Sequence, residues 1–222
     1  MIFQIITTIA AFYVVFLIYQ KNFDYIGNKL FIISFFIFGL YAFVLFLYEF
    51  PLSIIINAIL LNISLYLVVI GVLFFVLSMQ VFTRGSMFLN NITTKVLVLI
   101  TLIVCIIIVV FPYEVIQVTP TIEANKSIIS LLATGIVALG FMVYNLIMIY
   151  TALAEIDPSQ TGIRKKVKIL GIAQIIGLMS PIMSIIGNIT KNEILHGTMF
   201  LFLAIPMIIV GFLIKKKEDI VE

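Results

Sequence analysis

A bundle of seven membrane-spanning helices, all-α and polytopic, is the architecture to which this chain's composition points. Of its 222 residues 64% are hydrophobic and only 10% charged, where a soluble domain carries about 25% charged residues. The apolar residues are gathered into seven long continuous runs. The basic residues fall almost entirely in alternate gaps between those runs. No nucleic-acid partner fits this pattern: the net charge of +3 is too small and too scattered among Ile, Leu and Phe to form a basic face.

A helix needs about 20 apolar residues, rising 1.5 Å each, to cross a hydrocarbon core of about 30 Å. Runs over 2–19, 30–49, 53–82, 96–112, 128–153, 167–189 and 197–214 meet that need. None carries Asp, Glu, Lys or Arg in its central part. The first, "MIFQIITTIAAFYVVFLIYQ", lacks a basic leading segment and a small-residue cleavage site, so it is expected to be a span and not a signal peptide. The third run is long enough to tilt or to project from the bilayer, and the fourth is barely sufficient. Alternating strand patterns are absent, which argues against a β-barrel. No loop is long enough to fold alone, so residues 1–222 are expected to form a single membrane domain.

The gaps fix the orientation. Lys21, Lys29, Arg84, Lys95, Arg164, Lys165, Lys166, Lys168, Lys215, Lys216 and Lys217 lie on one side, and only Lys126 and Lys191 on the other, which accounts for all 13 basic residues. The positive-inside rule then places the N-terminus outside and the C-terminus in the cytoplasm of a cell membrane. The stretch "TGIRKKVKIL" at 161–170 becomes a cytoplasmic anchor between spans five and six.

Several chemistries are missing. Retinal binding needs a lysine within the last span and a carboxylate counter-ion; "GTMFLFLAIPMIIVGFLI" offers no lysine, and no span holds a carboxylate. The inner end of span three reads "QVFTRGS", without the Asp-Arg-Tyr type motif of G-protein-coupled receptors. His196 is the single histidine and Cys105 the single cysteine, so neither an HExxH zinc pair nor a disulfide within the chain can form. Without ionisable groups at bilayer depth, proton relays and intramembrane hydrolysis lose their machinery. The chain is therefore expected to be no enzyme and to need no cofactor.

Neutral polar residues remain. Ser53, Asn57 and Ser64 fall within about 40° of one another on span three at 100° per residue. Thr134, Ala138 and Asn145 form a stripe on span five, and Gln174, Pro181 and Asn188 one on span six. Such stripes serve either as hydrogen-bonded glue between helices or as the lining of a pocket. In the pocket reading Asn57, Ser64, Thr134, Ser184 and Asn188 converge among spans three, five and six in the outer half. Asn145 and Gln174 lie 14 and 15 positions on either side of residue 159, hence at about equal depth, and are expected to bond to each other. Phe38, Tyr41, Leu45 and Tyr48 form a stripe on span two that reads as packing plus an interfacial belt. Pro181 and Pro206 should kink spans six and seven. Asn125-Lys126-Ser127 fits a glycosylation acceptor on the outer side.

In layout, and in the stretches "LFFVLSMQVFTRGS" and "EIDPSQTGIRKKVKILGIAQIIGL", the chain resembles the N-terminal seven-helix sensor regions of bacterial and archaeal membrane histidine kinases. The resemblance implies a receptor-like module whose output passes onward after span seven. Here Glu222 follows without a coiled coil, PAS or kinase domain, so the output is expected to pass to a separate cytoplasmic or membrane protein partner. No ligand residue carries over. The alternatives are a small transporter or channel, marked by a polar path joining both faces, and a non-catalytic subunit of a membrane complex.

The orientation has a direct test. In a Cys105→Ala background, Thr121→Cys should react with an impermeant thiol reagent added outside intact cells, and Ser159→Cys should not. Labelling at 159 from outside would reverse the assignment.

Overall fold

The computed structural model describes residues 1–21, 23–190 and 192–215, with Lys21, Glu193 and His196 described by backbone alone. The sequence positions Lys191, Lys216 and Lys217 lie outside the described residues, as does the side chain of His196. Seven helices long and apolar enough to span a membrane are present: α1 (Ile2–Lys21), α2 (Ile26–Tyr48), α3 (Ile54–Arg84), α4 (Ile92–Val110), α5 (Ile128–Glu155), α6 (Thr161–Ile189) and α7 (Glu193–Lys215). The protein is an all-α seven-helix bundle of the multi-pass membrane class.

Six of the helices close a ring. α1 packs on α2, α2 on α3, α3 on α5, α5 on α6, α6 on α7, and α7 back on α1. α4 stands outside the ring against α3 and α5. Its outward side chains, among them Leu99, Leu102, Ile103 and Ile106, are exposed, as a lipid-facing surface requires where nothing but hydrocarbon surrounds it.

The 31 residues of α3 give a length of about 46 Å, well beyond the bilayer core. It ends at Gly85, whose φ of 85° favours glycine, and a short 3₁₀ turn (Ser86–Asn90) leads into α4. The 29 residues of α6 start at Thr161, six positions before the span expected from hydropathy. Arg164, Lys165, Lys166 and Lys168 therefore ride the first two turns of a helix and do not sit in a loop. Asp157 accepts hydrogen bonds from the backbone N–H and the hydroxyl of Ser159, at 2.8 and 2.7 Å, and so forms the turn before α6. Those two bonds, the backbone one first, hold its carboxyl below the usual carboxylate range.

An element that the apolar pattern did not announce lies between α4 and α5. Strands β1 (Glu114–Gln117) and β2 (Glu123–Asn125) pair antiparallel, Glu114 opposite Asn125 and Val115 opposite Ala124. The hairpin lies on the ring: buried Val115 and Tyr113 pack in one cluster with Leu131, Met199 and Phe200.

Three sets of polar contacts stitch the ring where apolar packing gives no direction. Thr7 Oγ1 donates to the Phe200 carbonyl at 2.9 Å, joining α1 to α7. Ser34 Oγ donates to the Gly71 carbonyl at 2.8 Å, where α2 and α3 run close. Gln80, fully buried on α3, accepts from Thr94 of α4 at 2.9 Å and donates to Tyr144 of α5 at 3.3 Å. Side-chain hydrogen bonds in membranes average about 0.6 kcal/mol, with about 1.7 as the upper end. Gln80→Leu should accordingly lower the unfolding free energy by about 1–2 kcal/mol in mild detergent, read from denaturant-induced unfolding; unchanged stability would remove the clamp from the list of structural contacts.

Candidate functional site

The ring encloses a cavity walled by α2, α3, α5, α6 and α7. About 130 Å³ is open to the centre of a water molecule, within a void between the helices of about 1240 Å³ that includes its mouth. The lining runs over Leu61–Phe75 of α3, Leu131–Met142 of α5 and Met199–Val210 of α7. On α6 it runs from Leu170 to Asn188, most of the length of that helix.

The polar side chains that α6 gives to the cavity gather toward one end. Gln174, Gly177 and Ser180 are buried, while Pro181, Ser184 and Asn188, further toward the hairpin, are half-buried. The opposite end is lined by Phe35, Phe75, Leu170 and Val210, all apolar. The cavity is thus polar toward its mouth and hydrocarbon at its base.

The seven polar residues singled out in the sequence divide sharply. Ser64, Thr134, Gln174, Ser184 and Asn188 all line the cavity. Asn57 does not. Its Nδ2 donates to the Tyr48 and Phe50 carbonyls at 2.8 and 3.0 Å, and its Oδ1 accepts from Leu52 and Ser53 N–H at 3.2 and 3.3 Å. Asn57 thereby satisfies the backbone of the α2–α3 connection, which has no helical ladder of its own. Ser53 is the N-cap of α3, accepting from Ile56 N–H.

The expected pair of Asn145 and Gln174 is not made. Gln174 Nε2 donates to the Met142 carbonyl at 3.2 Å, and both amide atoms of fully buried Asn145 lack a partner. Equal distance from the hairpin sets only depth. Gln174 reaches the backbone of α5 one turn short of Asn145 and ties its amide nitrogen there. Asn145 shares the face of Ala138, a cavity residue, about three residues beyond Met142 at the cavity's base.

Two hydroxyls at the polar end have no partner. Tyr113 Oη and Thr134 Oγ1 are buried, 4% and 6% exposed, and neither makes a hydrogen bond although both residues line the cavity. An unpaired buried hydroxyl costs about 1–3 kcal/mol. Tyr113 is held in place deliberately: Asn62 of α3 donates Nδ2 to its carbonyl at 2.8 Å and accepts its N–H at 2.9 Å. This pincer directs the ring inward, and burial pushes the phenol above its ordinary pKa, so it stays an O–H donor. At the mouth, Lys126 Nζ donates to Asn188 Oδ1 at 2.6 Å, and Asn188 Nδ2 donates to the Ser184 carbonyl at 2.7 Å. The tripeptide at 125–127 thus has structural duties, with Ser127 the N-cap of α5.

Sequence reasoning missed Tyr113, Asn62 and Lys126, because each acts through the irregular segment between α4 and α5. The stripe Phe38, Tyr41 and Leu45, read from the sequence as packing plus an interfacial belt, also lines the cavity. Pro206 and Met142 approach Gly177 so closely that a Cβ there would lie 3.1 Å from Met142 Cε and 3.5 Å from Pro206 Cγ. The cavity wall therefore brings α5, α6 and α7 together at one glycine. Among the described residues no three His, Cys, Asp or Glu side chains gather as a metal site would require.

No protein-family model, curated protein or solved structure matches the chain.

The two kinds of polar residue predict opposite mutational signs. Asn57→Ala removes four hydrogen bonds to loop backbone and should destabilise by about 2–4 kcal/mol. Thr134→Val and Tyr113→Phe remove hydroxyls that have no protein partner, and should leave the melting temperature of the empty protein unchanged or raise it. A melting-temperature loss in Thr134→Val as large as in Asn57→Ala would show that the hydroxyl is structural.

Proposed function

We propose that this protein is a receptor-like module of a cell membrane. In this reading the N-terminus is outside, a ligand enters the cavity from the outer side, and the response passes to a separate cytoplasmic or membrane protein partner. The observation that carries the reading is a cavity whose polar residues gather toward the β-hairpin, two buried hydroxyls among them, with apolar side chains across the other end. A conduit would instead need polar groups spaced from face to face. The charge asymmetry of the loops supports the orientation, since the hairpin end carries only Lys126 and Lys191.

Signalling requires a wall that can take two arrangements. Pro181 and Pro206 interrupt the hydrogen-bond ladders of α6 and α7, and both line the cavity. A ligand that presses on this wall acts where the two helices have each lost a backbone bond. The basic first turns of α6 lie at the far end of the same helix. The resemblance to histidine-kinase sensor regions points the same way. A small transporter is the second reading, favoured by one observation: Asn145 lies just beyond the base with both amide atoms unpartnered, where a path through the bundle would run.

Accessibility separates the two. In a Cys105→Ala background, Ser184→Cys should be labelled by an impermeant reagent from outside, and Asn145→Cys from neither face of right-side-out or inverted vesicles. Labelling of position 145 from the cytoplasmic face would replace the receptor reading with transport.

A further inference from the structure

The cavity sorts its chemistry along its axis. Tyr113, Thr134, Ser184, Asn188 and Lys126 stand toward the mouth, while Phe35, Phe75, Met142, Met207 and Val210 surround the base. Gln174, the polar side chain deep in the wall, has its amide nitrogen turned to the Met142 carbonyl. A ligand that fits must be apolar over most of its length and polar at one end.

Length narrows the class. The lining spans eleven positions on α5 (Leu131 to Met142) and on α7 (Met199 to Val210), fourteen on α3 (Leu61 to Phe75) and eighteen on α6 (Leu170 to Asn188), or about 16 to 27 Å at 1.5 Å per residue. Half of a hydrocarbon core of about 30 Å is about 15 Å. The cavity is therefore at least as deep as one bilayer leaflet, and a chain that fills a leaflet fits within it.

The head follows from the unpaired groups. Tyr113 Oη and Thr134 Oγ1 are both O–H donors without an acceptor in the protein, at the end where the polar residues gather. An oxygen acceptor on the ligand would satisfy both, and a carboxyl group offers two. We propose that the cavity binds one long-chain fatty acid, its carboxyl group taking the hydrogen bonds of Tyr113 and Thr134 and its hydrocarbon chain running toward Val210. Asn62 is then a positioning residue, since its two bonds to the Tyr113 backbone aim the phenol.

The inference rests on the receptor reading for the cavity's role and adds the class of ligand. It is tested with tritiated palmitic acid on the full chain in phosphatidylcholine nanodiscs, with empty nanodiscs subtracted. Palmitic acid should bind saturably at one per protein. Hexadecane, which has the chain and lacks the head, should compete at least tenfold less well. Tyr113→Phe and Thr134→Val should each weaken binding by about tenfold, the factor for one hydrogen bond to a charged or strongly polar group, while their melting temperatures hold. Ala138→Trp, which fills the cavity, should abolish binding, and Thr151→Ala, on an exposed face of α5, should leave it unchanged. No saturable binding above empty nanodiscs, equal competition by hexadecane, or full affinity in both hydroxyl-deleted variants would each overturn the proposal. Loss of palmitic acid binding with Ser184→Cys still labelled from one side only would remove the ligand class and spare the receptor reading. Labelling of position 145 from the cytoplasm would remove the receptor reading whatever the cavity binds.

Discussion

Inside a hydrocarbon layer every polar group must find its partner within the protein, and this constraint organises the molecule. Water is not there to accept what the fold leaves over. Thr8, Thr83 and Thr101 return their hydroxyls to the carbonyl four residues back in their own helices. Ser34 and Gln80 spend theirs on a neighbouring helix, and Thr7 shares its hydroxyl between the Phe3 carbonyl of its own helix at 2.7 Å and the Phe200 carbonyl of α7 at 2.9 Å. Asn57 and Asn62 serve the backbone where helices end. Against that frugality, Tyr113 and Thr134 stand out. Gln4 Oε1, Ser78 Oγ and the Asn145 amide are unpartnered as well, but among these residues only Tyr113 and Thr134 line the cavity.

The spans were legible because hydropathy and length are local properties of the chain. Loop charges were equally legible as a pattern. What the sequence hid depended on rotation and on irregular backbone. Equal counts from residue 159 speak only to the level of Asn145 and Gln174 and not to the direction of their side chains, and the Gln174 amide goes to the Met142 carbonyl instead. Asn57 shared a helical face with Ser64, yet its place in the first turn gave it loop carbonyls to bind before it could reach the cavity. Lys126 was counted for its charge alone, without sight of Asn188 62 positions away. The hairpin lacked strong alternation because its strands have only four and three residues, and only Val115 among them is buried deeply.

The site and the fold are tied together through α6. That helix carries the basic turns at one end and the cavity mouth at the other, with Pro181 between them. Few helices of this bundle could couple a binding event to the opposite surface, because most are pinned by hydrogen bonds to a neighbour at mid-depth. α6 is tied to the α5 backbone by Gln174 and to Lys126 by Asn188. Its wall is otherwise closed by Ile185 lying over Gly135 and by Gly177 lying against Met142 and Pro206.

The closure of the ring by α1 on α7 has a consequence for biogenesis. Thr7 and Phe200 are 193 positions apart, so the contact that completes the enclosure cannot form until the ribosome has delivered nearly the whole chain. Until then the inserted helices form an open trough, with the faces of α2, α3, α5 and α6 turned toward lipid. A nascent bundle of this shape meets acyl chains before it meets its own last helix, and whatever chain lies in the trough when α7 arrives is enclosed with it.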